Sequence, residues 1–378
     1  MYSHSLFALQ YCGQNRIIME IDTATSSAIQ SNVPLIIEDN SAAGFPPGFN
    51  TFRKAFMGSI AFLTIFCNLW CWFVIRRARG FKKVTKIFIL SLTFADFILG
   101  LFVSLPAFIL LWGDSFPLHT ADVICDTMGK IHLTFNTTSI LSLLAVNVEK
   151  YILIEFPLRA PYILSTKRAK MYTAVIYMVS AIMMTMYIAY QQSHATTFDP
   201  VWIICRPFSN SPDTFTIVSF SISATLFSAI PFAMLIVMYA RMYYITHRYN
   251  QRAEINYAFN TSQEVSPCRV CKKDVKALVT FLIVTGSFAI GWVPIITFTL
   301  YELYSGHKGS PYVDAILYPI LLCNYWWYIG IYIARNQSYR NEGLRILSSC
   351  PLLKCLEKLR VPDSNSTYST ELRPQPSQ

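Results

Sequence analysis

The chain has 378 residues, 53% of them hydrophobic, 15% aromatic and only 14% charged, and its formal charge is +10. An ordinary soluble domain carries roughly 25% charged residues. With a mean hydropathy of +0.39, this composition argues against a soluble enzyme, a coiled coil or a disordered protein.

The length permits two or three soluble domains, or one bundle of membrane helices. Residues 1–53 are the expected extracellular N-terminal segment, in which Met1–Asn50 is polar and lacks the charge, apolar core and small-residue cleavage site of a signal peptide, so the first span is expected to act as the insertion signal. They also lack an Asn-x-Ser/Thr sequon. Seven apolar runs follow, each about the 20 residues that a bilayer-spanning helix needs. They lie near Ala55–Ile75, Ile87–Leu111, Ile124–Leu153, Met171–Tyr190, Phe215–Tyr239, Val275–Leu300 and Val313–Ile333. The third is the least apolar, with His132, Asn136 and several threonines. Polar groups in a span face the bundle interior, which makes this the expected central helix. Residues 250–267 read as a flexible loop, 336–350 as an amphipathic helix and 351–378 as a disordered cytoplasmic tail.

Lys and Arg set the orientation. The segments after the first, third, fifth and seventh runs carry 25 of them, and the opposite face only 6. An extracellular N-terminus and a cytoplasmic tail follow, with residues 54–335 forming the bundle. The basic excess is explained by topology and anionic lipid, and no nucleic-acid partner is expected. The expected fold is an all-α membrane protein, a seven-transmembrane helix bundle with a short amphipathic eighth helix.

Ordered landmarks along these runs resemble the rhodopsin-like (class A) G protein-coupled receptors from about Gly58 to Cys355, closest in feel to the amine-type members. Asn68 stands at the helix-1 asparagine and Asp96, in LSLTFADFILG, at the helix-2 aspartate. Trp112 resembles the first outer loop's Trp. Cys125 precedes Glu149-Lys150-Tyr151 by 24 residues, similar to the Asp-Arg-Tyr motif, and Pro157-Leu158 follows. Pro231 and Tyr239 match helix 5, while Phe288 and Gly291-Trp292-Val293-Pro294 match helix 6. Asn324 and Tyr332 match helix 7. The departures are Lys150 for Arg, Ser180 for Trp, Gly291 for Cys, and Tyr328-Ile329 for Asn-Pro.

The resemblance implies a plasma-membrane receptor that converts extracellular ligand binding into activation of a heterotrimeric G protein, and it implies no enzyme. It places the ligand among His132, Asn136, Ser223, Ile295, Ile296, Thr299 and Tyr318. It assigns switch roles to Glu149, Lys150, Tyr151, Tyr239, Asp274, Phe288, Trp292, Pro294 and Tyr332, with Lys150 facing Asp274 across helices 3 and 6. Asp96, Ser139 and Asn324 correspond to the family's sodium pocket, and sodium is the only ion expected. Cys125 and Cys205 correspond to its outer disulfide, which leaves Cys12 as an odd outer thiol. Cys350 and Cys355 are expected palmitoylation sites. Leu158 is expected to touch the G protein.

His132 stands where amine receptors keep an Asp, so the standard ammonium salt bridge is absent. Leu322 stands where opsins hold their Schiff-base Lys, which removes a retinal pigment. A small-molecule, amine-like ligand is the first expectation and a peptide the second. A transporter or channel would need paired mid-membrane charges, and only Asp96 fits that. An intramembrane enzyme would need a metal cluster or a nucleophile–base pair, which the six His do not space.

Overall fold

The computed structural model describes residues 45–348 except 79, 113–117, 192–195, 200–203, 208–217, 219, 220, 223, 260–268 and 308. The spans are helices Pro47–Arg77, Lys83–Trp112, Leu118–Glu155, Thr166–Gln191, Ile230–Phe259, Arg269–Ser305 and Pro311–Arg335. An amphipathic helix, Gln337–Ser348, follows. Among the described residues, four helical stretches are long and apolar enough to cross a membrane on length and composition alone: Pro47–Arg77, Lys83–Trp112, Val123–Glu155 and Leu282–Ser305.

The helices outrun the apolar runs because backbone hydrogen bonding does not stop at the membrane surface. The first begins at Pro47, inside the stretch expected to be extracellular, with a proline at its first turn. It therefore takes in Arg53, which the topology argument counted as an outer-face residue. Arg53 is 2% exposed. Its guanidinium lies over the Phe45 ring at 4.7 Å. The fifth span differs most from expectation. Helical residues at 221, 222 and 224, in a stretch described only in part, lead into a π-turn at Thr225–Ala229, and the helix continues to Phe259. Much of the expected loop at 250–267 is therefore helix. The sixth begins at Arg269 rather than Val275. Two further elements had no expectation: a short helix, Ala160–Ile163, and an antiparallel hairpin of β1 (Thr196–Asp199) and β2 (Ile204–Pro207).

The helices pack as a ring that closes where the first meets the seventh, and the third touches the second, fourth and fifth. The central place read from its polar residues is where the third lies. The second span carries a π-turn at Gly100–Ser104. A Cβ on Gly100 would stand 2.9 Å from Ile65 Cγ1, so glycine permits this close approach to the first span.

The apolar interior has two parts. An outer cluster joins Met57, Ile60, Leu99, Val103, Met128, Ile295, Tyr318 and Tyr325. An inner cluster joins Cys71, Phe88, Leu92, Val146, Val284, Tyr328, Ile329 and Tyr339. Each contributing helix passes between them through polar residues, among them Asn68, Asp96, Ser139 and Asn324. On the outside, Phe62, Phe66, Phe73 and Ile290 are exposed, as lipid-facing residues are.

Hydroxyl pairs stitch the second, third and fourth spans together. Ser91 and Ser142 meet at 3.0 Å. Thr138 donates to Ser180 Oγ at 2.8 Å, and Ser180 donates to the Ile176 carbonyl at 3.0 Å. Ser180, the departure from the family's Trp, is thus a fully used hydrogen-bonding residue.

Candidate functional site

His132 and Asn136 lie one turn apart on the third span, so both face the seventh. The Tyr325 hydroxyl lies 3.2 Å from His132 Nε2 and donates to Asn136 Oδ1 at 3.2 Å. The imidazole must therefore donate to the phenol from Nε2. The His132 ring also stands edge-on to Tyr318, with centroids 6.1 Å apart. The Tyr318 hydroxyl is buried without a hydrogen-bond partner. Ile295 and Ile296 pack in the same outer cluster. Thr299 is half-buried, and Ser223 lies outside the described residues.

Below this, Asn136, Ser139, Phe288, Trp292, Asn324, Tyr325 and Tyr328 line a cavity of about 20 Å³. That is room for one water. Phe288 and Trp292 stand at a tilt, 5.9 Å apart, and Pro294 lies two residues beyond Trp292. Tyr328 donates to Asn68 Oδ1 at 2.6 Å, and Asn68 donates to the Tyr325 carbonyl at 2.8 Å. The first and seventh spans are thereby bonded at mid-membrane.

Asp96 is 1% exposed. The hydroxyls of Ser139 and Tyr328 are its polar neighbours, but neither carboxylate oxygen is in a well-formed hydrogen bond. Sodium takes several oxygens. Ser139 and Asn324 share the cavity, yet Asp96 is not in its lining.

At the cytoplasmic end Glu149 is 1% exposed and accepts from Thr85 Oγ1 at 2.5 Å. The Lys150 ammonium lies 3.3 Å from Thr85 Oγ1 and 3.5 Å from Glu149 Oε1. Lys150 is thus turned toward its own helix and the second span. The Asp274 side chain, expected opposite it, lies outside the described residues, as does that of Tyr332. Tyr151 and Tyr239 pack around Met242. Leu158 is 95% exposed, the condition a partner-contacting residue must meet.

Cys125 is buried and disulfide-bonded. The hairpin whose β2 contains Cys205 packs against the same helix. The Cys205 side chain is outside the described residues, as are Cys12, Cys350 and Cys355.

The sequence matches the family described as 7 transmembrane receptor (rhodopsin family) over residues 67–328. The chain belongs to that family. It is therefore a multi-pass membrane receptor and not an enzyme. Among its relatives, it is 26% identical to the histamine H2 receptor of Cavia porcellus over 65% of this chain and 64% of that one. It is 22% identical to the adenosine receptor A2b of Canis lupus familiaris over 77% and 87%. The first alignment thus spans less than two thirds of the histamine receptor's own length.

Spacing alone missed several residues that this geometry brings forward. Tyr325, beside Asn324 in sequence, joins His132 to Asn136. Thr85 bridges Glu149 and Lys150. Glu155 pairs with Arg241. Nothing in a single sequence marks such partners, because they depend on how each helix is rotated.

Proposed function

We propose that this receptor sits in the plasma membrane with its N-terminus outside and converts binding of an extracellular small molecule into activation of a heterotrimeric G protein. One observation carries the reading. A hydrogen-bonded path runs from His132 in the outer half, through Tyr325 and Asn136, to the cavity beneath Trp292. A ligand that competes for His132 or Tyr318 perturbs this path and shifts the balance between closed and open cytoplasmic faces. The relatives' names point to histamine and adenosine, both small and nitrogen-rich. Here the polar handle is an imidazole and a phenol, so an amine-like ligand is met by hydrogen bonds rather than by the carboxylate salt bridge of amine receptors. The Cys125–Cys205 disulfide belongs to this reading, as does palmitoylation of Cys350 and Cys355.

Cells expressing the chain with an N-terminal epitope tag test it. The tag is stained without permeabilisation, and a small-molecule screen read by several G protein sensors yields a hit that His132→Ala weakens. Staining only after permeabilisation refutes the orientation. A surface-expressed receptor that activates no sensor under any ligand, with no basal signal, refutes the coupling.

A further inference from the structure

The outer loop between the sixth and seventh spans is closed on itself and fastened to the sixth. Gly306 takes a φ of 69° and donates its N–H to the Glu302 carbonyl at 3.0 Å, which ends the helix. The His307 N–H donates to Ser305 Oγ at 3.1 Å. The Gly309 N–H donates to Glu302 Oε1 at 2.6 Å. A Cβ built on Gly309 would overlap the Phe298 ring, so that ring fills the notch left by the missing side chain.

Phe298 and Glu302 lie one turn apart on the sixth span, in line with Ile295 and Thr299. Those two belong to the wall expected to face the ligand. The Phe298 ring packs on the outer apolar cluster, which holds Ile295 and Tyr318. The loop is therefore fastened at the rim of the pocket by one apolar contact and one carboxylate. A bond from a neutral amide leaves the charge of that carboxylate uncancelled. Among the described residues Glu302 pairs with no cation. On the outer turns of the third span, by contrast, Lys130 is matched by Asp126 at 2.6 Å.

We infer that Glu302 is the charge-selecting residue of the pocket mouth. Its carboxylate keeps the loop fastened over the rim and attracts a cationic ligand, whose ammonium takes the place of the Gly309 N–H on entry. A charged donor bonds a carboxylate more strongly than a neutral amide does, so the exchange is favourable. Release of the loop and admission of the ligand become one event. An anion meets a fastened loop and a repelling charge. Glu302 acts at entry, while His132 and Tyr318 hold the ligand at depth by hydrogen bonds. The charge class of the ligand rests on the proposed small-molecule function, and the clasp does not.

The test uses the full chain on intact cells and two impermeant thiol reagents of opposite charge, a methanethiosulfonate bearing trimethylammonium and one bearing sulfonate. Thr299→Cys supplies the target thiol, and Cys12→Ser with Cys323→Ala clears competing thiols from the outer half. Modification rates are read from the thiol left for a maleimide dye. Glu302→Gln keeps an oxygen for Gly309 and lowers the cation-to-anion rate ratio roughly five-fold. Glu302→Ala lowers the ratio equally and, lacking the acceptor, speeds the anionic reagent several-fold beyond Glu302→Gln. Gly309→Ala evicts the Phe298 ring, speeds both reagents and leaves the ratio unchanged. An unchanged ratio in Glu302→Gln overturns the charge selection. Equal rates in Glu302→Gln and Glu302→Ala overturn the clasp, and this comparison stands even if Gly309→Ala fails to reach the surface. No arm reads signalling. Silence of every G protein sensor therefore refutes the proposed function and leaves the clasp standing, whereas an unchanged ratio in a receptor that signals refutes the charge class alone.

Discussion

Arg241 of the fifth span donates from Nη2 to Oε1 of Glu155 on the third, at 3.1 Å. Glu155 is 14% exposed and Arg241 57%. The Tyr151 hydroxyl lies beside the same guanidinium. The inner ends of the third and fifth helices are thus tied by charge. Exposed pairs are weak individually, and salt screens them.

Glu155→Gln and Arg241→Gln are therefore each expected to raise ligand-free signalling by about two-fold at matched surface expression. The exchange Glu155→Arg with Arg241→Glu is expected to return it toward the wild-type level. A basal sensor assay decides. If the exchange behaves as the two single changes combined, the pair carries no restraint.

The outer bridge makes a stability prediction. A disulfide closing a loop of this length is worth roughly 2–4 kcal/mol. Cys125→Ala and Cys205→Ala are each expected to reduce surface expression, with the double no worse than either single. Loss that adds up in the double means that Cys125 takes another partner.

Ser180 makes a prediction by substitution in both directions. Ser180→Ala removes the acceptor that Thr138 uses at 2.8 Å, while Thr138 keeps the Thr134 carbonyl at 3.0 Å. Such bonds between membrane helices average about 0.6 kcal/mol, so melting in detergent should fall only slightly. Ser180→Trp, the family's residue, must fit an indole into a site with no exposed surface. Overpacking costs roughly 1–3 kcal/mol or more, so this variant should lose most of its surface expression. Near-normal expression of Ser180→Trp would show that the seam between the third and fourth helices opens readily.

Much of the bundle is legible in sequence because the bilayer imposes a length and an apolar composition on each span. The ends are not, because water does not break a helix: Tyr243–Phe259 is polar yet continues the fifth helix. Landmark spacing found Asp96, Glu149, Trp292 and Asn324, since it reports position along a helix. It could not find Tyr325, Thr85 or the Gly309 notch. Their roles come from rotation and neighbour choice, and a missing side chain such as that of Gly309 shows its meaning only when the facing residue is known. Gly291 for Cys and Tyr328 for Asn are departures from the family's pattern in the sequence. In the bundle Gly291 receives Asn324, and Tyr328 bonds Asn68.

The last prediction concerns Lys150. Its ammonium lies near one oxygen of Glu149, while Oε2 of the same carboxylate is buried with no hydrogen-bond partner. Lysine brings a point charge on a flexible stem, whereas arginine brings a planar fork that can meet both oxygens of a carboxylate. Lys150→Arg should therefore satisfy Oε2 and tighten the clasp at the inner end of the third helix. Charge-assisted hydrogen bonds contribute about 1.5–3 kcal/mol in favourable geometry, and Lys150 is only a quarter exposed, so part of that should survive. Basal signalling should fall several-fold. Glu149→Gln acts in the opposite sense: it removes the charge that holds Lys150 and should raise basal output, with Thr85 left bonded to a neutral amide. Both variants are read at matched surface expression with the same sensor. If Lys150→Arg raises basal output instead, the side chain at 150 acts on the partner protein directly, and its contact with Glu149 is incidental to the switch.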